Sequence, residues 1–147
     1  MKLFNLNKHE RDDAIKFYKE PHIYEVNGEK MDKSVTKLVH DCFPEFDKNA
    51  VSKKIHKSHF ENKKSQYYQM TQEEILDKWE KNKNEACELG TFLHESIELY
   101  YNDIQCENNS VEYTFFENFK NEFYTLIPYR TEWEIYYEEK SIAGSVD

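Results

Sequence analysis

Apolar residues recur at the spacing of strands near residue 25 and again near residue 135, and at helical spacing between these two regions. Residues 22–26 and 29–31 are rich in strand formers and are separated by Asn27-Gly28. An Asn-Gly pair between such runs predicts a two-residue hairpin turn. Residues 1–20 have weak periodicity, which predicts a short helix or an arm.

Several helices are predicted after this hairpin. Ser34 and Asp47 are placed to cap two of them, and Thr71 with Glu74 has the spacing of a capping box for a third. Asn82 and Asn84 indicate a break, after which a longer helix runs from about residue 85 to residue 101. Its predicted core face is Ala86, Leu89, Leu93, Ile97 and Tyr100 or Tyr101. A last helix, ending before Pro128, has the predicted core positions Phe115, Phe116, Phe119, Phe123 and Leu126.

The end of the chain changes to strand periodicity. Trp133, Ile135 and Tyr137 alternate with other residues, and Glu139-Lys140 turns the chain into a second apolar run, 142–147. Two strands alone are marginally stable, so helices, the earlier hairpin or a partner strand must complete the sheet. The expected fold is therefore α/β (α+β): a helix-rich N-terminal part followed by the first β-hairpin of an incomplete sheet. We expect one domain over 1–147, with residues 1–84 as the helical part and 85–147 as the start of the core.

The charges are unevenly distributed along a chain whose net charge is −9. Residues 48–64 contain six lysines and one acid, whereas residues 85–147 contain fourteen acids and three bases. A basic arm beside an acidic body suits an enzyme that binds phosphates and uses carboxylates to hold a metal. An ordinary solvated helix beside an acidic surface is the alternative. The candidate phosphate-binding residues of the arm are Lys53, Lys54, Lys57, Lys63 and Lys64.

The three cysteines, Cys42, Cys87 and Cys106, are odd in number and widely spaced, which fits reduced and mostly buried thiols. An iron–sulfur cluster held by four cysteines is excluded. No apolar run is long enough to span a membrane, and no apolar segment typical of a signal peptide follows Met1. We therefore expect an intracellular protein that is not secreted.

Gly90, His94 and Glu98 are four residues apart, so they share one face of the predicted helix. A glycine there costs about 1 kcal/mol relative to alanine, which suggests that another group approaches closely at Gly90. His94 and Glu98 would then present an imidazole and a carboxylate to one place. The alternative is a surface pair joined by a hydrogen bond. The spacing differs from that of a His-Glu-x-x-His zinc protease.

Asp147 follows the small residues Ala143-Gly144-Ser145 at the end of an apolar strand, where it can point into a cleft. Carboxylate oxygens suit hard cations such as Mg²⁺ or Mn²⁺. The alternative is an aspartate that begins a turn. Arg130, at the start of the preceding strand, has two equal interpretations: a phosphate contact or a salt bridge at the strand edge.

Three motifs together resemble the RecB-like branch of the PD-(D/E)XK nuclease superfamily. They are Gly-Thr-x-x-His-x-x-x-Glu from Gly90, Thr-Glu-Trp from Thr131, and Ala-Gly-Ser-Val-Asp ending at Asp147. Segments beginning at Ser34, Phe43 and Met70 are similar to members of this group from large DNA viruses. The resemblance covers about residues 22–147 and consists of several short motifs in the same order.

This resemblance implies a metal-dependent nuclease that hydrolyses phosphodiester bonds in DNA during replication, recombination or repair. Its cofactor would be Mg²⁺ or Mn²⁺, with His94 and Asp147 as metal ligands and Glu98 supporting the same site. Single-stranded DNA or DNA ends are the expected partner. The family also needs an Asp or Glu, one residue and a Lys on a further strand. The sequence ends before such a motif, so we expect a C-terminally incomplete fragment with little activity alone.

Two other functions are compatible with the same residues. In the first alternative, the chain is a non-catalytic module with a degenerate nuclease fold that binds nucleic acid or protein. In the other it is a structural interaction protein whose hairpin edge recruits a strand from another chain. Salt-sensitive DNA binding without cleavage would favour the module, and a stable hetero-complex without DNA binding would favour the interaction protein.

Overall fold

The computed structural model describes residues 1–146, which form five α-helices and two three-stranded sheets. The predicted α+β class, with a helix-rich start and a hairpin, is therefore confirmed. The chain divides into two compact units. The first unit contains Met1–Pro44 and the described residues from Phe92 onward, and the second unit contains Glu45–Thr91.

The first sheet confirms the predicted hairpin and adds a strand that the sequence did not predict. Its antiparallel order is β1 (Ile15–Tyr18), β2 (Ile23–Val26) and β3 (Glu29–Lys30). Asn27 and Gly28 form the turn with φ of 54° and 85°, the left-handed values that a type I′ turn requires. The predicted short helix is α1 (Lys2–Leu6). β1 has only four residues, which is too short for its alternation to be recognised in the sequence.

The second sheet joins the two ends of the first unit. Its order is β4 (Lys33–Ser34), β6 (Ile142–Val146) and β5 (Trp133–Tyr137). β5 and β6 form the predicted hairpin, and β4 pairs with β6 in parallel, with Lys33 opposite Ile142. A segment of the chain itself, directly after the first hairpin, thus supplies a third strand.

Both sheets contribute to one apolar core. It consists of Ile15, Tyr24, Val26, Met31 and Ala143, with Phe17 and Tyr136 packed against it. Helix α2 (Val35–Asp41) follows β4 directly, and Ser34 caps it as predicted, accepting a hydrogen bond from Lys37 N at 3.1 Å.

The close approach predicted at Gly90 occurs instead at Gly144. A Cβ at Gly144 would lie 2.8 Å from Cγ2 of Val35. A Cβ at Gly90 would have no neighbour within 4 Å in the part of the chain that the structure describes. The prediction for Gly90 is therefore wrong, and its place on α4 (Gln72–Tyr101) is open.

The second unit consists of α3 (Lys48–His59) and the part of α4 up to Thr91, joined by a turn-rich segment. Both predicted caps are confirmed. Asp47 accepts from Ala50 N at 2.8 Å. Thr71 Oγ1 accepts from Glu74 N at 3.2 Å while the Glu74 carboxylate accepts from Thr71 N at 2.7 Å.

Helix α4 is continuous, so the predicted break at Asn82–Asn84 is wrong. Residues 80–89 are all exposed, including the predicted core positions Ala86 and Leu89. Local ion pairs support the helix here, because Lys83 lies 3.3 Å from Glu80 and Lys81 lies 3.8 Å from Glu85. An asparagine in a helix costs only about 0.7 kcal/mol or less relative to alanine. These ion pairs and the helical hydrogen bonds that continue through this segment offset that cost.

Helix α5 (Val111–Glu122) buries less of its apolar face than predicted. Phe116 is buried among the rings of Tyr100, Tyr101 and Tyr113. The other four predicted core residues are exposed and lie on or after this helix: Phe115, Phe119, Phe123 and Leu126. Phe119 and Phe123, with Leu126, line an open groove of about 1120 Å³ in the first unit.

Two further expectations from the sequence concern the thiols and the membrane. Cys42 and Cys87 are exposed and Cys106 is half-buried, so the prediction that the thiols are mostly buried is wrong. Among the described residues, no helix combines the length and the apolar character needed to cross a membrane.

Candidate active site

Helix α4 and the segment before β5 form a small pocket in the first unit. Its volume is about 120 Å³. The lining residues, hereafter the His94 pocket, are Leu93, His94, Ile97, Glu98, Thr131 and Glu132. The structure therefore brings together His94 and Glu98, as their four-residue spacing predicts, and adds Glu132 from a distant part of the chain.

Glu132 lines the pocket although its sequence context did not predict it as a site residue. Its Oε1 lies 3.8 Å from Nδ1 of His94, and the two side chains are 42% and 54% exposed. Its other carboxylate oxygen, Oε2, accepts a hydrogen bond of 3.3 Å from the Ser145 hydroxyl on β6. The Thr-Glu-Trp motif contained Glu132, but nothing local in the sequence indicates that it meets a helix residue 38 positions earlier.

Glu98 is half-buried, whereas His94 is exposed. Loss of solvation raises the pKa of its carboxyl group above the usual value, and the nearby negative charge of Glu95 raises it further. Glu98 therefore retains a proton to a higher pH than an ordinary surface glutamate. Such a carboxyl group is suited to proton transfer.

A buried amide connects three parts of the first unit beside the pocket. Asn102 accepts a hydrogen bond from Leu3 N at 3.0 Å. Its Nδ2 donates to Glu98 O at 2.8 Å and to Thr131 Oγ1 at 3.1 Å. Asn102 thus ties α1, the end of α4 and the segment before β5 together. Nothing local in the sequence indicates this role, because Leu3 and Thr131 lie far from Asn102 along the chain.

Arg130 is engaged in a buried ion pair. Its Nη1 donates to Asp12 Oδ2 at 2.8 Å and to Asn7 O at 3.0 Å, and both charged side chains are only 5% exposed. The guanidinium also lies over the rings of Phe4 and Trp133. Arg130 was interpreted as either a phosphate contact or a salt bridge, and the structure shows the salt bridge. A guanidinium held in this way is not presented to a phosphate.

The pKa of the Asp12 carboxyl group lies below its ordinary value. Burial alone would raise its pKa, but hydrogen bonds from Arg130, His9 N and Trp133 and the charge of Arg130 together lower it. Nε of Arg130 is buried and has no hydrogen-bond acceptor among the described residues. The pair is therefore strongly held, although not completely satisfied.

The five lysines predicted to bind phosphates lie in the second unit. All are exposed, with Lys53, Lys54 and Lys57 on α3 and Lys63 and Lys64 in the segment after it. At 100° per residue the three helical lysines span about 100° of α3, opposite the side that buries Ser52. None of the five has an acidic partner within 4 Å among the residues described. We call this set the lysine surface.

The donor types of the His94 pocket fit a divalent cation, but they do not amount to a complete site. Carboxylates are ligands that Mg²⁺ and Mn²⁺ accept, and an imidazole is a common ligand of divalent transition metals. Within residues 1–146, no group of three or more His, Cys, Asp or Glu side chains is arranged to hold a metal ion. Asp147, the predicted second ligand, lies outside the described residues, and its role stays a prediction.

Comparisons with protein-family models, with curated proteins and with solved structures found no match for this chain. The resemblance to the PD-(D/E)XK superfamily accordingly stays a prediction.

Proposed function

We propose that this protein is a metal-dependent nuclease of the PD-(D/E)XK type that hydrolyses phosphodiester bonds in DNA. The observation that carries the proposal is the position of His94. It lies on α4 with Glu98 one turn later, and it meets Glu132 at the start of the β5–β6 hairpin. The described residues of the three motifs thus lie on a helix, at the start of one strand and on the strand paired with it.

The chemistry requires an activated water molecule and neutralisation of charge on the phosphate. A bound Mg²⁺ or Mn²⁺ supplies both functions. His94 and, from the resemblance, Asp147 would hold this cation. Glu98, whose pKa is raised by burial, would exchange a proton with a group in the pocket.

Metal binding and cleavage test the proposal directly. Isothermal titration calorimetry of the full chain should show Mn²⁺ binding that is lost in His94→Ala and in Asp147→Ala. Glu88→Ala is the matched control, since Glu88 is an exposed acid on the same helix and does not line the pocket. Cleavage of linear DNA that requires the metal and His94 would support a nuclease. Absence of metal binding by the unaltered chain would overturn the proposal.

A non-catalytic nucleic-acid-binding module is the second candidate, and the lysine surface is the observation that favours it. Five exposed cations that have no acidic partner in the part of the chain that the structure describes suit contacts with phosphates and need no metal site. For this function we expect DNA binding that weakens steeply with salt and is the same in His94→Ala as in the unaltered chain. Binding that depends on Mn²⁺ and His94 would contradict it.

A further inference from the structure

The open groove beside α5 is lined mainly by apolar and aromatic side chains, and we call it the α5 groove. Its volume is about 1120 Å³, and all its lining residues belong to the first unit. Because these residues line a single groove, they form one contiguous surface. Six large side chains of this surface are between 47% and 89% exposed: Leu6, Phe119, Tyr124, Leu126, Ile127 and Tyr129.

The exposed apolar area of the α5 groove reaches the size of a stable protein–protein interface. With roughly 200 Å² for a large apolar or aromatic side chain, the six residues at their observed exposures present on the order of 800 Å². Monomeric proteins rarely expose a contiguous apolar patch of more than a few hundred Å². A standard interface buries about 800 Å² on each partner. A partner that covers the whole groove would therefore complete an interface of ordinary size.

The segment after α5 contributes the most exposed side chains of the groove. Tyr124 and Ile127 are 81% and 89% exposed, whereas Leu3 of the same groove is buried. The segment is held in place at its end, since Asn7 Nδ2 donates to Tyr129 O at 2.7 Å. One face of the first unit thus combines projecting apolar side chains with a groove. An interface with twofold symmetry requires this combination, because both copies use the same patch.

The charges around the α5 groove favour a second copy of the chain over a nucleic acid. Among the described residues, the charged side chains that line it are Lys2, Asp103 and Lys120. Lys2 pairs with Asp103, and Lys120 Nζ lies 4.4 Å from the centre of the Tyr100 ring. One positive charge in excess offers little attraction for a phosphate backbone. It also adds little repulsion between two copies of a chain whose net charge is −9.

We propose that the α5 groove is the interface of a homodimer in which residues 124–127 of each copy insert into the groove of the other. Dimers with twofold symmetry are the commonest soluble homo-oligomers. None of the described residues lines both the α5 groove and the His94 pocket. The dimer is therefore independent of the proposed nuclease function, and either can be wrong without the other.

Sedimentation velocity of the full chain, from low to high micromolar concentration, tests the dimer. A reducing buffer is required because Cys42 and Cys87 are exposed and could form disulfides between copies. The unaltered chain should change from monomer to dimer as its concentration rises. Ile127→Glu should raise the dissociation constant by about a hundredfold or more, since a twofold interface contains each substitution twice. Tyr124→Lys introduces the opposite charge and should have the same effect.

Phe115→Glu is the matched control. Phe115 is 68% exposed on α5 but does not line the groove, so this variant should dimerise like the unaltered chain. Circular dichroism should show that all three variants are folded. Hydrogen exchange of the unaltered chain at low and high concentration locates the interface without any substitution. Residues 124–129 and helix α1 should exchange more slowly in the dimer.

Three results would contradict the proposal. The first is an unaltered chain that stays monomeric at high micromolar concentration. The second is a dimer that is equally stable in Ile127→Glu and Tyr124→Lys, or whose protected segments lie outside the α5 groove. The third is a dimer that dissociates with added salt and not with these substitutions, which would assign the contact to charged surfaces.

Discussion

The His94 pocket of the first unit and the lysine surface of the second unit are built in opposite ways. Buried groups position the pocket: Asn102 holds Thr131, and the Asp12–Arg130 pair holds the backbone just before it. The lysine surface has no such support, because its side chains are exposed and have no acidic partners among the described residues.

This difference predicts what substitutions do in each region. In the first unit, a substitution that removes one member of a buried hydrogen bond or ion pair leaves the other polar group unsatisfied. The stability of the protein should then fall, and the geometry of the site should be disturbed. In the second unit, neutralising one of these five lysines removes a charge that has no acidic partner within 4 Å among the described residues. We therefore expect effects on stability in one region and effects on nucleic-acid affinity in the other.

The largest effect should come from breaking the buried ion pair. Arg130→Met leaves the Asp12 carboxylate buried without its cation, and such a loss costs about 3–5 kcal/mol of unfolding free energy. Urea unfolding followed by tryptophan fluorescence would measure it, since the Trp133 ring lies beside Arg130.

The double variant Asp12→Asn/Arg130→Met is the control for this prediction. It removes both charges and should be clearly more stable than Arg130→Met alone, because no buried charge is left unpaired. A cost below about 1 kcal/mol for Arg130→Met would show that the pair behaves like a surface salt bridge and would remove the contrast between the two regions.

The lysine surface should give the next largest effect, on affinity instead of stability. For duplex DNA, each phosphate neutralised contributes about 0.9 to the slope of log affinity against log salt. Replacing Lys53, Lys54 and Lys57 by Gln should therefore lower the slope by about 2.7 and weaken binding on the order of a hundredfold at 0.1 M salt. Fluorescence anisotropy with labelled DNA at several salt concentrations would measure both.

Lysines of the same unit that do have acidic partners provide the comparison. Lys81 and Lys83 pair with Glu85 and Glu80 along α4, so Lys81→Gln/Lys83→Gln should change the slope much less. Equal slopes for the two sets of variants would mean that DNA does not recognise the lysine surface. Urea unfolding of the triple variant should differ little from that of the unaltered chain.

Two glycines provide a smaller, paired test of the same contrast. Gly144→Ala places a methyl group 2.8 Å from Val35 Cγ2 in the first unit and should cost about 1–3 kcal/mol. Gly90→Ala adds a methyl group to an open position of α4 in the second unit and should stabilise by up to about 1 kcal/mol. Both changes are read from urea midpoints.

The rescue variant Val35→Ala/Gly144→Ala should recover part of the loss, since it removes the clashing methyl groups. A destabilising Gly90→Ala would show that the position is crowded, as its sequence context predicts, and would contradict the open surface seen in the structure.

Local signals in the sequence were sufficient for much of the fold. The hairpin at Asn27-Gly28 and the caps Ser34, Asp47 and Thr71 were predicted because each depends on residues within three or four positions. The same is true of the shared face of His94 and Glu98. These features follow from backbone geometry and hydrogen bonds that need no tertiary context.

Features that depend on distant residues were missed or predicted wrongly. The pairing of β4 with β6 and the approach of Glu132 to His94 join segments more than 35 residues apart. The periodicity of α5 identified an apolar face, but not that Phe116 alone on that face is buried. A helical pattern shows which residues share a side; which side is covered depends on neighbours that the pattern does not specify.

The smallest expected effect on stability concerns the exposed ion cluster of Lys33, Lys37 and Asp41 in the first unit. It tests whether only buried ion pairs stabilise this unit. Hydrogen bonds from Lys33 and Lys37 lower the pKa of Asp41 to about 2. Because the folded pKa lies below the unfolded value of about 3.9, this stabilisation is fully present above pH 3.9 and is lost as the pH falls toward 2. The stability difference between the unaltered chain and Asp41→Asn should therefore shrink across this window, as followed by urea midpoints at pH 5, 4, 3 and 2. Since Asp41 is partly exposed, salt should also reduce the stability difference between the unaltered chain and Asp41→Asn. A stability difference that is constant from pH 5 to pH 2 would show that Asp41 contributes through packing and not through charge.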